Sequence, residues 1–148
     1  MFGPLEIKVL DMETRTYRNI EAFNVLRMEQ FLIERMEPQE NDFPNLVCLA
    51  SQGYWDHYGA RVQFIGVAYL ACAISMVFPT LRMASFEEST QPFQYRGHKI
   101  YCIERDTHFS DKPPYYIVAR DIEITVHFAG EHAEAVFDAS DRIERGEI

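Results

Sequence analysis

Histidine and carboxylate side chains are the groups in this chain that could hold a metal ion or transfer a proton. The candidates fall in two stretches of sequence, and they are Asp56, His57, Asp106, His108, His127, Glu131 and His132. Neither they nor the cysteines have the His-Glu-x-x-His or Cys-x-x-Cys spacing that places ligands on one helix or knuckle. We therefore predict no metal site and no cofactor. A small hydrolase that uses some of these aspartates and histidines is an alternative, and it requires their side chains to converge in one pocket.

The chain carries no recognisable nucleophile signature. None of its serines lies in a Gly-x-Ser-x-Gly elbow, and no Gly-x-Gly sequence is present to cradle a phosphate. Cys48, Cys72 and Cys102 lie among apolar residues, a setting that raises the pKa of a thiol and lowers its reactivity. Their odd number and wide spacing indicate buried thiols in a reducing compartment, so we predict a cytoplasmic protein. The sequence favours a protein that is not an enzyme.

An aromatic segment bounded by Gly53 and Gly59 is the most distinctive part of the sequence. Its residues are Tyr54, Trp55, Asp56, His57 and Tyr58. Rings of this kind bury a large area at low rotamer cost and keep a polar tip, as the anchors of protein interfaces do. We predict that this segment, together with Tyr115 and Tyr116, contacts another protein. The alternative is that Trp55 fills the core.

Four carboxylates recur every three or four residues near the end of the sequence, and they are Glu131, Glu134, Asp138 and Asp141. At this spacing they line one face of a helix. Such an acidic stripe could imitate a phosphate backbone or dock on a basic protein. An acidic inhibitor that occupies a basic or nucleic-acid-binding site is therefore the second function to consider. A solvated helix face is the alternative interpretation.

Charge restricts the partners. The 148 residues include 14 Lys and Arg against 23 Asp and Glu, a formal net charge of −9. A protein this acidic repels a phosphate backbone unless its cations are gathered on one face, and here the arginines are spread from Arg15 to Arg145. We therefore predict no direct nucleic-acid binding, and a protein partner that is a copy of this chain, another subunit or a basic protein. The N-terminal residues lack the basic and apolar regions of a signal peptide, so export is not indicated.

Alternation of apolar and polar residues predicts the strands that would position these groups. Residues 5–9 alternate in this way, and residues 16–23 are expected to return as the second arm of a hairpin. Another strand is expected within residues 93–104. Residues 116–128 form a long extended segment, in which Arg120 interrupts the apolar face and indicates a bend or bulge.

Spacing of three or four residues predicts the helices. Residues 24–36 and 131–145 carry apolar side chains on one face, and Gly146 follows the second helix at the position where a left-handed residue ends it. Residues 60–78 are predicted to form a third helix. Because residues 62–78 include no charged side chain, we place this helix at the centre of the core. The run is close to the length of a membrane span, which is the alternative, and membrane insertion is not expected.

These patterns together predict a single α+β domain over residues 1–148. A mostly antiparallel sheet would pack on the central apolar helix at residues 60–78, and the two other helices would flank it. The favoured function is a non-catalytic protein-interaction domain, a structural subunit of a homo- or hetero-oligomeric assembly.

Overall fold

The computed structural model describes residues 12–52, 58–89, 96–104, 115–129 and 133–148. The elements in these ranges are β1 (Met12–Tyr17), α1 (Ile20–Asn24), β2 (Gln30–Gln39), β3 (Asp42–Ser51), β4 (Tyr58–Ala71), β5 (Ser75–Val77), β6 (Thr80–Ala84), α2 (Phe86–Ser89), β7 (Lys99–Glu104), β8 (Tyr115–Ala129) and α3 (Ala133–Glu144). The strands form one antiparallel sheet that curls into a half-barrel with three small helices. The predicted sheet packed on a central helix at residues 60–78 is therefore wrong.

The apolar run at residues 60–78 forms strands rather than a helix. β4 alternates along this run, because Val62 and Phe64 are buried in the core whereas Arg61 points to the other side of the sheet and is exposed. When a strand is also partly covered on its second face, both of its faces carry apolar residues. Its sequence then cannot be distinguished from that of a buried helix by periodicity. Of the helices in the described ranges, none combines the length and the hydropathy that crossing a lipid bilayer requires.

The helix predicted over residues 24–36 is also wrong. α1 ends at Asn24, and Arg27 adopts a left-handed φ of 52° before the chain enters β2. Of the apolar residues on the predicted helical face, Leu32 and Met36 belong to a β-hairpin of β2 and β3, whose turn contains Asn41 at a φ of 57°. Val25 and Met28 lie between α1 and β2. The helical spacing is a coincidence in a segment whose conformation is decided by pairing with β3 and β5.

The structure tests only the second arm of the predicted N-terminal hairpin. Residues 5–9 lie outside the described residues. Residues 16–23 contain the end of β1 and most of α1, so the second arm expected there is wrong. β1 pairs instead with the distant strand β8, from Met12 opposite Ala129 to Tyr17 opposite Ile124.

The C-terminal predictions are confirmed within the described ranges. β8 covers the long strand predicted over residues 116–128, and α3 forms most of the helix predicted over residues 131–145. Gly146 ends α3 at a φ of 76° with the paired backbone hydrogen bonds of a Schellman motif. β7 forms the last part of the strand expected within residues 93–104.

The irregularity expected at Arg120 lies on the strand beside it. β4 shifts register between Val67 and Tyr69 where it pairs with β8. Gly66, at a φ of 67°, faces Arg120, whose guanidinium fills the space that a Cβ would occupy. Arg120 also forms an ion pair with Asp42. The backbone conformation therefore favours glycine at position 66, and a larger residue there would also displace the guanidinium of Arg120.

The connection between β5 and β6 explains the curl. The sheet has the order β5-β2-β3-β4-β8-β7-β6, with β1 added to the second half of β8. The two end strands follow each other in the sequence and are joined by Phe78 and Pro79. Since the three residue steps from Val77 to Thr80 reach at most about 11 Å, the two ends of the sheet come close together. The inner face of the curl becomes the core.

Two helices complete this core. Phe23 of α1 and Phe137 of α3 are fully buried in the same cluster as the inward side chains of the strands. The hydroxyl of Ser140, itself fully buried, donates to the carbonyl of Ala22 at 2.7 Å and ties α3 to α1. The helices therefore pack on the inner side of the sheet and on each other.

Two stretches of the sheet edge are protected against pairing with another chain. The side-chain amide of Asn24 accepts from the backbone N–H of Leu81 at 2.9 Å and donates to its carbonyl at 2.7 Å, so it replaces a neighbouring strand at β6. The edge of β2 beyond β5 has two register shifts and contains Glu37 and Pro38. Charges, proline and irregular register all discourage edge pairing.

Replacing Asn24 should show how much its amide at the β6 edge contributes to the free energy of unfolding. We expect Asn24→Ala to lower the free energy of unfolding by about 1–3 kcal/mol, because two part-buried backbone groups lose their partners. Urea denaturation followed by circular dichroism measures the effect. Gln39→Ala, at an exposed strand end, is the control and should change stability by less than about 0.5 kcal/mol. Equal losses in the two variants would contradict the role given to Asn24.

Alkaline pH should destabilise the fold through its buried phenols. Burial raises the pKa of Tyr101 to about 12, and burial with a hydrogen bond to Asp141 raises the pKa of Tyr17 further. A raised folded-state pKa gives stability that is complete below the ordinary value of 10.0 and is lost as the pH rises through the folded value. Each such group makes the loss steeper by up to about 1.4 kcal/mol per pH unit.

Tyr101→Phe isolates one of these two phenols. Between pH 10 and 12 the variant should lose stability less steeply than the natural protein, because one proton fewer is coupled to unfolding. Urea titrations at several pH values measure the two slopes. Parallel slopes would show that Tyr101 does not contribute.

Candidate protein-binding surface

The outer face of the sheet is not covered by a helix in the described part of the chain. It consists of the side chains of β2, β3, β4 and β8 that alternate with core residues, among them Leu32, Leu49, Arg61 and His127. Side chains on successive strand residues point to opposite faces, so the burial of the alternating residues in the core commits these to the other side. In the described part of the chain, α1 and α3 pack against each other and on β1 and β6 rather than over this face.

Aliphatic side chains on the outer face are exposed to an unusual degree. Leu32 of β2 and Leu49 of β3 are cross-strand partners, with 39% and 38% of their surfaces exposed. Val77 of β5, opposite Gln30, is 43% exposed. A solvated sheet face normally carries polar residues at such positions. The two leucines line an open depression of about 660 Å³.

Arg61 lies beside the leucines. It pairs with Leu49 across β3 and β4, so Leu32, Leu49 and Arg61 form one row over three strands. Arg61 is exposed and forms no ion pair or side-chain hydrogen bond with any described residue. A guanidinium in this position keeps its donors available for another molecule.

The other arginines around the outer face have carboxylate partners. Arg35 contacts Glu34 at 2.8 Å and Glu37 at 2.6 Å, and the hydrogen bond that it donates to Glu37 is the main cause that raises the pKa of Arg35. Arg18 contacts Asp121 at 2.5 Å and Glu123 at 3.5 Å. Arg61 therefore differs from its neighbours in having its charge uncompensated by the described residues.

His127 lies at the β8 side of the depression. Its Nδ1 and the hydroxyl of Thr14 are 3.1 Å apart, and its backbone pairs with Gly59 of β4. Among the described residues, no group of three or more His, Cys, Asp or Glu side chains has an arrangement that could hold a metal ion. Among the described residues, His127 belongs to the outer face and to no cluster of acids and histidines. Of the other residues considered for acid–base chemistry, His57, Asp106, His108 and His132 lie outside the described residues.

A second depression, of about 610 Å³, lies where α1 leads into β2. Arg27 and Phe78, which both have positive φ angles of 52° and 51°, border it. Gln52 and Glu104 also line it, and they immediately precede residues 53–57 and 105–114, which lie outside the described residues. The depression therefore adjoins the points from which both segments leave, but His127 does not line it.

The predicted aromatic interface is only partly described. Tyr54, Trp55, Asp56 and His57 lie outside the described residues, and Tyr58 is described by its backbone alone, as the first residue of β4. The chain on either side of this segment contributes Ser51 and Gly59 to the outer-face depression. By connectivity, the segment is attached at the rim of the candidate surface.

Tyr115 and Tyr116 do not form one contact surface. They are consecutive in β8 and therefore point to opposite faces of the sheet, and both are half-buried. Tyr115 packs against the core cluster. Burial is the main cause that raises the pKa of Tyr116, which lies near Cys102 and Arg82.

The acidic stripe is only partly available to a partner. Glu131 lies outside the described residues, and Glu134 and Asp138 are exposed. Asp141 is half-buried against β1, where it accepts a hydrogen bond from the phenol of Tyr17 at 2.7 Å and lies 3.6 Å from the guanidinium of Arg15. Asp141 therefore fastens α3 to β1.

The cysteines differ in burial. Cys48 and Cys102 are buried, as the sequence predicts, and burial raises the pKa of both thiols, to about 11 for Cys102. Cys72 is only half-buried. All three are free thiols, so none stabilises the fold through a disulfide.

Sequence reasoning missed Leu32, Leu49 and Arg61 as site residues. Leu32 lies on the apolar face of the helix predicted over residues 24–36, and Arg61 lies within the helix predicted over residues 60–78, so both predictions depend on the wrong period. The sequence pair Arg61–Val62 could have indicated a strand, since a charged residue next to an apolar β-branched residue fits the alternation of the two faces of a sheet.

No protein-family model, no curated protein and no solved structure matches this chain. The interpretation of the outer face consequently depends on its own geometry and charge.

Two leucines of β3 should respond very differently to truncation. Leu46 is fully buried on the inner side and Leu49 lies on the outer face. We expect Leu46→Ala to cost about 2–5 kcal/mol of stability and Leu49→Ala less than about 1 kcal/mol. Chemical denaturation of both variants measures this. A large loss for Leu49→Ala would mean that its side chain supports folding and not binding.

Proposed function

We propose that this chain is a protein-binding domain, a non-catalytic subunit of an oligomeric assembly, and that the outer face is its contact surface. The observation that carries the proposal is the row of Leu32, Leu49 and Arg61, in which exposed aliphatic groups lie directly beside an arginine without a partner among the described residues. We propose the cytoplasm as its compartment, which the free thiols favour.

The composition of the row supports a protein interface. Arginine is enriched among the residues that contribute most to binding, and the energy concentrates where neighbouring groups exclude water. The leucines would supply this exclusion, because each still has more than a third of its surface to bury. An exposed aliphatic patch with a polar rim is typical of a contact site.

Charge argues for a protein partner and against a nucleic acid. Arg61 contributes one positive charge to the outer face of a chain of net charge −9, which is too little to hold a phosphate backbone. At physiological salt, charges more than about 8 Å apart are largely screened, so the contacts made by Arg61 outweigh the overall charge once a partner has docked. A carboxylate on the partner surface would be the natural complement.

The acidic stripe gives weaker support to an inhibitor. Asp141 is already engaged with Tyr17 and Arg15, so a basic partner would have to compete with contacts that hold α3 to β1. Glu134 and Asp138 would remain for such a partner.

Photochemical crosslinking tests the surface in the cells that make the protein. We expect a benzophenone side chain at position 49 to form a defined protein adduct, and the adduct to weaken when Arg61→Glu is added, because the same surface would bind the partner. The control is the same probe at Ala139, an exposed position of α3. Adducts are resolved by mass spectrometry.

Three results decide between interpretations. An adduct specific to position 49 and sensitive to Arg61 supports the proposed function, whether its second member is this chain or another protein. Adducts of equal yield from positions 49 and 139, or none from either, would contradict it.

A further inference from the structure

We infer that the outer face binds the outer face of a second copy of this chain, about a two-fold axis that runs along β3. This inference rests on the proposed function and specifies its partner. Three features of the molecule support it: the arrangement of the strands, the position of Glu34 relative to Arg61, and the protected stretches of the sheet edge.

The strand order makes the outer face suitable for two-fold pairing. β3 lies between β2 and β4. A two-fold axis parallel to β3, in the plane between two stacked sheets, exchanges left and right, so β2 of one copy lies over β4 of the other. The two copies of Leu49 then meet near the axis, and Leu32 of each copy covers the stem of Arg61 in the other. Every contact occurs twice, as in any isologous interface.

The same operation brings Arg61 to a carboxylate that its own chain places out of reach. Glu34 lies on β2, two strands from Arg61, which is about 10 Å across the sheet. Glu34 and Arg61 line the same depression. The two-fold axis would bring Glu34 of one copy over Arg61 of the other. Glu34 already contacts Arg35 at 2.8 Å, and a carboxylate has enough acceptor sites to serve two guanidinium groups.

The self-complementary character of the patch favours a second copy over an unrelated protein. A second copy of the patch supplies both complementary groups, apolar surface for the leucines and the carboxylate of Glu34 for Arg61. Two stretches of the sheet edge, in contrast, are unsuited to strand addition, at β6 because of Asn24 and at β2 because of Pro38 and two register shifts. Two copies would therefore associate through the faces of their sheets.

A charge exchange tests the proposed pair. Sedimentation equilibrium at physiological salt should show a reversible dimer for the natural protein. We expect Arg61→Glu alone and Glu34→Arg alone to weaken dimerisation about tenfold or more, because each places like charges opposite one another. The double variant, which carries both substitutions, should recover most of the affinity, since it restores two pairs of opposite sign.

Matched controls keep the test specific. Glu134→Arg reverses an exposed charge on α3, away from the outer face, and should leave dimerisation within about threefold of the natural protein because surface charges at a distance are screened. Glu34→Gln separates loss of the carboxylate from the added repulsion of Glu34→Arg. Circular dichroism and urea denaturation verify that each variant folds.

The possible results separate this inference from the proposed function. A dimer whose affinity falls in both single variants and recovers in the double variant supports the inference. A natural protein that stays monomeric at high concentration, or a double variant as weak as the single ones, overturns it. If the chain is monomeric but the probe at position 49 captures a different protein in an Arg61-dependent way, the proposed function stands and the second copy does not.

Discussion

The antiparallel ladder between β4 and β8 is the constraint on which the rest of the structure depends. It runs from Tyr58 opposite Phe128 to Ala71 opposite Tyr116, through a single register shift. Each of its outer sides then receives further strands, β3 and β2 beside β4, and β7 and β1 beside β8. Two long strands bound over this length fix the direction and register of their neighbours, because each added strand must satisfy the backbone groups already presented to it.

The curl of the sheet follows from the short connection between β5 and β6. Because Phe78 and Pro79 join the two end strands, the sheet curls until its inner face is enclosed, and the apolar side chains on that face form the core with Phe23 and Phe137. The outer face receives no helix in the described part of the chain. The curl of the sheet thus creates both the core and the surface that we propose for binding.

The two faces of the sheet are coupled through alternation. Val62 and Arg61 are neighbours in sequence, yet one is in the core and the other is on the outer face. A shift of β4 by one residue relative to its neighbours would move Arg61 into the core and expose Val62, which the hydrophobic effect opposes. Folding therefore specifies the outer face with the same precision as the core.

A single side chain protects the edge of β6. Asn24 belongs to a helix that ends beside this strand, and its amide has a donor and an acceptor at the spacing that Leu81 requires. A device of this kind stabilises the fold and at the same time excludes association by strand addition. It directs any self-association of the chain toward the faces of the sheet.

The elements that the sequence alone determined are those whose stability is local or whose pattern has one interpretation. The period-2 alternation of β8 extends over many residues, and α3 ends at Gly146, whose left-handed conformation costs other residues more. Burial of Cys48 and Cys102 also follows from their apolar surroundings. In each case neighbours in the sequence contain the information.

Only the tertiary structure decided the conformations of β2 and β4, and with them the candidate site. Residues 24–36 have helical spacing and residues 62–78 carry no charge, but β2 and β4 form in these segments because hydrogen bonds to distant partners outweigh local preference. Leu32, Leu49 and Arg61 form a row only after three strands are in register. The physical reason is that strand pairing joins residues far apart in sequence, so the surface it creates has no counterpart in any single segment.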